Sequence, residues 1–363
     1  EVTEGIAPQQ VKQGPATEVI AGVQGWAALH KIADSGVSRF EREFVKQVAS
    51  ASGGVVKNSI ANALKKKNIG KALQVAVNAW KSKDPIWRAG VTFQLTDTVA
   101  KAANSVSKKV LTNPSAIRFD VTNPLAQKWA RSHAAHLVDV VGEDQIKTLR
   151  KIITDGLDNK LTPFQVEKNI RSQIGLQSRQ QIALNRFEQD LVKKKIKPSV
   201  VTKRVASYKK KLIRQRARSI ARTELMRASN MGQQLLWEEA VALGHLDVSK
   251  FEKLWIVTPD DRLCDFCKTK LGSRVGVFDL FDNPIGNPEA QPPLHPMCRC
   301  STALVKKGQA APRVKFPRTS TPTVGKVTKP KTKKPKTKAT KKPVIPKELN
   351  DKQVKELSNE IND

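Results

Sequence analysis

Apolar residues recur every three or four positions through most of the first two thirds of the chain, which is the period of amphipathic helices. Breaks rich in Pro, Gly or Lys interrupt this pattern at short intervals, at 52–54, 65–67, 84–85, 113–114 and 156. Asn123 followed by Pro124 is a typical helix start, with Asn as the N-cap and Pro in the first turn. The pattern predicts a mainly α (α+β) fold in which short connections join the helices.

Large apolar side chains on these stripes are expected to face the core. They include Phe40, Phe44, Phe93, Leu125, Val140, Phe164 and Ile182. Three segments are richer in β-branched and aromatic residues and predict short strands, at 116–121, 251–258 and 275–281. Two of these three strands fall late in the chain, so we expect a helical body followed by a small β-rich lobe.

Changes in composition divide the chain into six segments. We expect a flexible lead-in at 1–24, a helical region at 25–112, a helical body at 113–243, a Cys/His lobe at 244–305, a disordered tail at 306–347 and a short acidic helix at 348–363. The tail contains fifteen Lys and Arg and seven Pro, but neither Asp nor Glu. A segment of this composition cannot bury a core, so disorder is predicted for it.

The net charge of the chain is +32, from 65 Lys and Arg against 33 Asp and Glu. An imbalance of this size favours a polyanionic partner, most simply nucleic acid and less readily an anionic membrane surface. No run of eighteen apolar residues occurs, so the sequence predicts no membrane-spanning helix.

The long helix predicted after Pro198 has a polar face of one sign, because no acidic residue occurs between Leu191 and Thr223. Such a face repels itself unless a negative surface lies against it. We assign this face, including Arg216, and the tail to non-specific binding of double-stranded DNA; a solvated face or an acidic protein partner is the alternative for the helix. The candidate residues are Lys203, Arg204, Lys209, Lys210, Arg214, Arg218, Lys331, Lys333, Lys334, Lys336, Lys338, Lys341 and Lys342.

All four cysteines fall within 264–300, together with one histidine. They form a C-x-x-C knuckle and an H-x-x-C-x-C segment, made of Cys264, Cys267, His295, Cys298 and Cys300. Thiolate and imidazole groups at this spacing are typical of structural zinc sites. Either the four cysteines bind the ion, or His295 binds it with three of them. Two disulfides, or four reduced thiols packed as small apolar groups, are the alternatives.

Either ligand set fills the four positions of a tetrahedral ion, so the site is predicted to be structural and the chain is predicted not to be an enzyme. The strongest enzymatic alternative is a nuclease with a zinc-stabilised lobe, in which Asp260 and Asp261 bind the catalytic metal ion. That alternative lacks a convincing second carboxylate or a histidine cluster.

A polar stripe follows the basic face on the same long helix. Thr223, Arg227 and Asn230 are spaced to share one helix face, and Glu224 lies within ion-pair reach of Arg227. We expect a hydrogen-bonded network that docks this helix on the Cys/His lobe. Its predicted members are Arg222, Thr223, Glu224, Arg227, Asn230, Asp261 and Arg262. His133 and His136, three residues apart, are assigned to the helix surface or core and not to a metal site.

These motifs occur in a fixed order along the chain. The order is Arg222-Thr223-Glu224, Asn230, Trp255, Asp261-Arg262-x-Cys264-x-x-Cys267, Phe281 and Pro293-x-His295-Pro296-x-Cys298-Arg299-Cys300. The series resembles the phage Mu protein F-like family, the head morphogenesis or minor head proteins of tailed bacteriophages. The resemblance covers about 146–304, and 119–138 is similar to what precedes it in that family.

The resemblance implies a virion protein of low copy number, located inside the capsid near the portal vertex and in the host cytoplasm during assembly. It implies a role in head assembly and in DNA packaging or delivery, with the portal protein, the major capsid or scaffolding protein and double-stranded DNA as partners. No catalytic residues are established for this family, so none are transferred. A DNA-condensing protein without an assembly role is the alternative that the charge alone supports.

Overall fold

The computed structural model describes residues 17–56, 58–82, 84–111, 117, 119–258 and 263–309. In these residues long helices precede a small three-stranded antiparallel sheet, so the predicted mainly α fold is confirmed. The helices are α1 (Thr17–Gly54), α2 (Ser59–Lys65), α3 (Ile69–Lys81), α4 (Asp84–Val110), α5 (Pro124–Asp158), α6 (Pro163–Gln173), α7 (Ser178–Lys193), α8 (Pro198–Ala242) and α9 (Asp265–Lys268). The strands are β1 (Phe251–Ile256), β2 (Arg274–Val275) and β3 (Ser301–Lys306).

Helix ends follow the local signals in the sequence. The side chain of Asn123 accepts hydrogen bonds from the backbone N–H groups of Leu125 and Ala126, which caps α5 as expected. Thr162 and Gln165 cap the start of α6 reciprocally. Such caps satisfy N–H groups that have no partner inside the helix, so the sequence places these boundaries well.

The core of the helical body lies where α8 packs against α1 and α4. Phe40 and Phe44 of α1, Leu95 of α4, and Leu225 and Trp237 of α8 are each fully buried there. Burial of one such side chain is worth about 1.5–3 kcal/mol, so this three-helix contact holds α8 rigidly along much of its length.

Several apolar residues that were expected to face the core are exposed instead. The exposed fraction is 55% for Phe93, 47% for Phe164 and 44% for Ile182. The buried apolar positions of α4 include Val91, Leu95 and Val99. Phe93 lies two residues from the first two of these and therefore on another side of the helix. Leu125 and Val140 are exposed as well.

Four of the predicted segments also differ from the structure. Helix α1 begins at Thr17, inside the segment that was expected to be a flexible lead-in. The described residues of 116–121 form no strand, although Ile117 and Phe119 are buried and the side chain of Asn104 donates a hydrogen bond to the carbonyl of Phe119. Of 275–281, only Val275 belongs to a strand, because the chain then turns away from the sheet. The predicted tail overlaps β3 at Lys306, and its residues 310–347 lie outside the described residues.

Gly232 is the point of closest approach between α8 and α4. A Cβ atom at this position would lie 2.3 Å from the carbonyl oxygen of Val99. Backbone cannot give way as a flexible side chain can, so we expect Gly232→Ala to lower the free energy of unfolding by about 2 kcal/mol or more. Urea denaturation followed by circular dichroism measures this change.

Gly53 provides the matched control because it is also helical but has open space at the Cβ position. Gly53→Ala is expected to leave stability unchanged or to raise it by up to about 1 kcal/mol, the helix propensity gain. Equal stability of the two variants would contradict the tight α8–α4 contact.

Candidate metal centre and basic surface

The Cys/His lobe is built on β1, which pairs antiparallel with β2 on one side and β3 on the other. Trp255 of β1 packs edge-on against Phe281 with ring centroids 4.9 Å apart, and Leu294 is buried beside them. Three of the four cysteines complete this small cluster. A core of this size is marginal by itself, so a further stabilising link is expected.

The two cysteine segments meet at the edge of this small core. Cys264 caps α9, with its Sγ accepting a hydrogen bond from the backbone N–H of Cys267. His295 Nε2 lies 3.0 Å from Cys264 Sγ and 3.2 Å from Cys267 Sγ. Cys267 Sγ lies 3.7 Å from Cys298 Sγ. Two overlapping trios result, in each of which the ligand atoms lie within 4.8 Å of one another: Cys264, Cys267 and His295, and Cys267, Cys298 and Cys300.

These five residues could hold a metal ion. All four cysteines are free thiols, which argues against the alternative of two disulfides. Two sulfur ligands of one tetrahedral zinc ion lie about 3.8 Å apart, close to the 3.7 Å between Cys267 and Cys298. The donor set, soft thiolates with one imidazole, also suits zinc.

The close packing of the sulfur atoms shifts the pKa values of the groups in the cluster. Hydrogen bonding to the Cys298 thiolate raises the pKa of His295 to about 9. Hydrogen bonds with the thiols of Cys298 and Cys300 raise the pKa of Cys267, and burial and the nearby negative charge raise it further. A cation among these sulfur atoms would reduce the repulsion between thiolates.

Asn230 of α8 fastens the lobe to the helical body. Its side chain is fully buried, and Nδ2 donates to the carbonyls of Pro292 and Cys300, each at 3.2 Å. Its Oδ1 accepts a hydrogen bond from Ser301 Oγ at 2.7 Å. One amide thus joins α8 to the loop before His295 and to the start of β3.

Thr223 and Arg227 extend this contact along the same helix face. Thr223 Oγ1 accepts a hydrogen bond from the backbone N–H of Met297 at 2.9 Å. Arg227 lies 3.5 Å from the carbonyl of Pro293 and 3.8 Å from the carboxylate of Glu289. The structure therefore places three of the predicted network residues against the lobe.

The remaining predicted network residues lie elsewhere. Arg222 pairs with Asp34 of α1 at 3.3 Å. Glu224 contacts His133 of α5 at 2.6 Å, in addition to Arg227 at 3.6 Å, so His133 belongs to an interhelical ion contact. These two positions lie roughly 80° and 120° around the helix from Asn230, so neither faces the lobe as Asn230 does. The predicted members Asp261 and Arg262 lie outside the described residues.

A buried polar network beside the lobe gave no signal in the sequence. Lys253 of β1 is fully buried, and its Nζ donates to the carbonyl of Ala290 at 2.8 Å. Burial lowers the pKa of Lys253 to about 8. Gln291 Nε2 donates to Gln234 Oε1 at 2.7 Å, which ties the same loop to α8.

Helix α1 also contacts the lobe through a residue that the sequence did not single out. His30 Nε2 lies 2.8 Å from the carbonyl oxygen of Arg299, between two of the cysteines. Ser229 Oγ on α8 donates to the carbonyl of Leu29 at 3.0 Å, which fixes α1 beside this point. The loop carrying Cys298 and Cys300 is therefore held by two helices.

Helix α8 presents most of its predicted basic residues to solvent. Those that are exposed are Lys203, Arg204, Lys210, Arg214 and Arg218. Lys209 is half-buried with its Nζ 3.4 Å from the carbonyl of Arg171, and burial lowers its pKa. The assignment of Arg216 to this face is wrong, because Arg216 is buried and pairs with Asp144 at 2.6 Å. Both residues lie on the side of the helix that faces the body.

The tail lysines of the predicted DNA-binding set lie outside the described residues: Lys331, Lys333, Lys334, Lys336, Lys338, Lys341 and Lys342. Within the part of the chain that the structure describes, no helix is both long and apolar enough to span a bilayer. Comparisons with protein-family models, with curated proteins and with solved structures find no match to this chain.

Proposed function

We propose that this chain is a minor head protein of a tailed bacteriophage, located inside the capsid near the portal. In this role it binds double-stranded DNA without sequence preference and assists head assembly and genome packaging or delivery. The portal protein and the major capsid or scaffolding protein are its proposed protein partners.

The observation that supports this proposal best is the meeting of separate parts of the phage-like motif. Asn230, from the first part, donates to the carbonyl of Cys300, from the last part, 70 residues further along the chain. Cys267, from the middle part, lies 3.7 Å from Cys298. A single structural unit requires that its motifs meet in the fold. Their convergence therefore supports the proposal.

We further propose that the ion at the Cys/His cluster is zinc and that its role is structural. Cys267 and Cys298, with two of Cys264, His295 and Cys300, would hold it. The zinc ion would supply a cross-link between the two halves of the lobe and neutralise their thiolates. Because four protein ligands fill a tetrahedral ion, this site would bind no substrate, and we propose no catalytic role for it.

The charge distribution supports the DNA-binding part of the proposal. A protein enclosed with packaged DNA faces a high density of phosphates, and the net charge of +32 favours retention there. We assign the contacts with protein partners to the helical body and to the acidic segment 348–363. The alternative is a DNA-condensing protein that performs no assembly role.

Mass spectrometry of purified virions of the phage that encodes this chain tests the proposal. We expect the protein in mature particles at low copy number relative to the major capsid protein. Its absence from both virions and proheads would contradict the proposal. Its abundance on host DNA outside particles would favour the DNA-condensing alternative.

The tail should carry much of the electrostatic attraction to DNA. Residues 310–347 contain thirteen Lys and Arg and no carboxylate. Each phosphate contact contributes about 0.9 to the slope of log Kd against log salt concentration. We therefore expect deletion of 310–347 to lower this slope by several units, measured by fluorescence anisotropy with a duplex of arbitrary sequence.

The control is a full-length chain in which the seven predicted DNA-binding lysines between 331 and 342 are replaced by glutamine. This variant keeps the length of the tail and removes much of its charge. We expect its slope to fall by more than half of the change seen on deletion. An unchanged slope in both variants would contradict a DNA-binding tail.

A further inference from the structure

We propose that a cleft between α1 and α8 binds the phosphate backbone of double-stranded DNA. This inference rests on the proposed DNA-binding function and assigns a site for it within the folded body. The sequence indicated only the α8 side of this surface. The structure adds a second row of cations from α1, a helix more than 150 residues earlier in the chain.

The cleft has a volume of about 420 Å³. Four cations and one carboxylate line it: Arg42 and Lys46 of α1, Arg214 and Arg218 of α8, and Glu41. The basic side chains are exposed. The side chain of Glu41 is only 15% exposed, and it pairs with Arg218 at 3.3 Å. The outer surface of the cleft is therefore cationic.

Two of the four cations have no anionic partner among the residues that the structure describes. Lys46 pairs with Glu43 on its own helix at 2.9 Å, and Arg218 pairs with Glu41. Among the described residues, no carboxylate lies within ion-pair distance of Arg42 or Arg214. Like charges facing each other across a cleft repel unless an anion lies between them. Phosphate is an anion that arginine binds with two parallel hydrogen bonds.

The cleft continues into a basic stripe along α8. Lys203 and Lys210 precede Arg214 at spacings that keep them on the same side of the helix, and all three are exposed. From Lys203 to Arg218 the stripe is about 22 Å long, which is the axial length of about six base pairs. A duplex that lies along this stripe brings several successive phosphates against it.

The position of this surface is fixed by buried contacts behind it. Arg216 lies over the ring of Phe44 at 5.6 Å, and it donates to the carbonyl of Gly175 at 3.0 Å. It also pairs with Asp144 of α5. These contacts hold α8 against α1 and α5, so the backbone positions that carry the exposed cations are in place before DNA binds. Preorganisation of this kind reduces the entropy lost on binding.

The test compares two double variants of the full-length chain. Arg42→Gln with Arg214→Gln removes the two unpaired cations of the cleft. Arg131→Gln with Arg186→Gln is the matched control, since both residues are exposed arginines of α5 and α7, away from the cleft. Each pair is also placed in the full-length chain that carries the seven lysine-to-glutamine substitutions in the tail, so that tail binding masks the result less.

Fluorescence anisotropy with a duplex of about 30 base pairs measures Kd across a salt series. We expect the cleft variant to lower the slope of log Kd against log salt concentration by about 1.8, from two lost phosphate contacts, while the control leaves it within error. Equal slopes for the two variants, with the unmodified chain still binding DNA, would overturn the cleft site alone. Failure of the unmodified chain to bind DNA at low salt would overturn the proposed DNA-binding function as well.

Discussion

Removal of the metal by a chelator is expected to unfold the Cys/His lobe while the helical body stays folded. Structural zinc contributes on the order of 10 kcal/mol to the folding of small domains. The lobe has only a small core around Trp255 and Phe281, which cannot replace that contribution. A partial loss of near-ultraviolet circular dichroism, to which Trp255 is one of six tryptophan contributors, measures this outcome when the helical content is retained.

Substitution of a ligand tests the same prediction without a chelator. Cys298→Ser removes a buried donor and is expected to release the metal and expose the lobe to hydrogen exchange. His245→Gln is the control, because His245 is exposed near the start of the same lobe and outside the cluster. An unchanged lobe in a Cys298→Ser protein that holds no zinc would show that packed thiols, and not a metal, stabilise it.

Replacement of Asn230 by alanine is expected to lower the free energy of unfolding by about 3–5 kcal/mol. The change leaves the carbonyls of Pro292 and Cys300 and the hydroxyl of Ser301 without a described side-chain partner in a buried site. Each unsatisfied buried polar group costs about 1–3 kcal/mol. Urea denaturation of the metal-loaded protein measures the total.

Asn78→Ala is the matched control, since Asn78 is exposed on α3 and contacts only Gln74 among the described side chains. We expect a change within about 0.5 kcal/mol for it. A loss of less than about 1 kcal/mol for Asn230→Ala would mean that water replaces the amide and that Asn230 does not fasten the lobe to α8.

The parts of the fold that the sequence predicts are those with a local cause. Asn123 and Thr162 cap helices through contacts with the next three residues, so their signals are complete within a short segment. The predicted burial of Phe93 is wrong. Periodicity shows that a helix has an apolar side, but it does not show which neighbouring helix covers that side. The assignment of Arg216 to the basic face is wrong for the same reason, since its partner Asp144 belongs to another helix.

The candidate site divides in the same way. The cysteine and histidine ligands are predictable because metal sites require particular donors at close spacing, and this chain has its cysteines only there. The contact of His30 with Arg299 joins segments 269 residues apart and leaves no local trace. Arg42 and Arg214 face one cleft without a carboxylate partner among the described residues. This arrangement follows from the packing of α1 against α8, which the sequence does not show.

Zinc analysis of the purified full-length protein tests the structural metal site most directly. Inductively coupled plasma mass spectrometry and thiol titration are performed on the same sample, before and after chelation. The proposed site requires about one zinc ion per chain, with thiols that become fully reactive only when the metal is removed. Less than about half an equivalent of zinc in a protein whose four thiols are intact would contradict it.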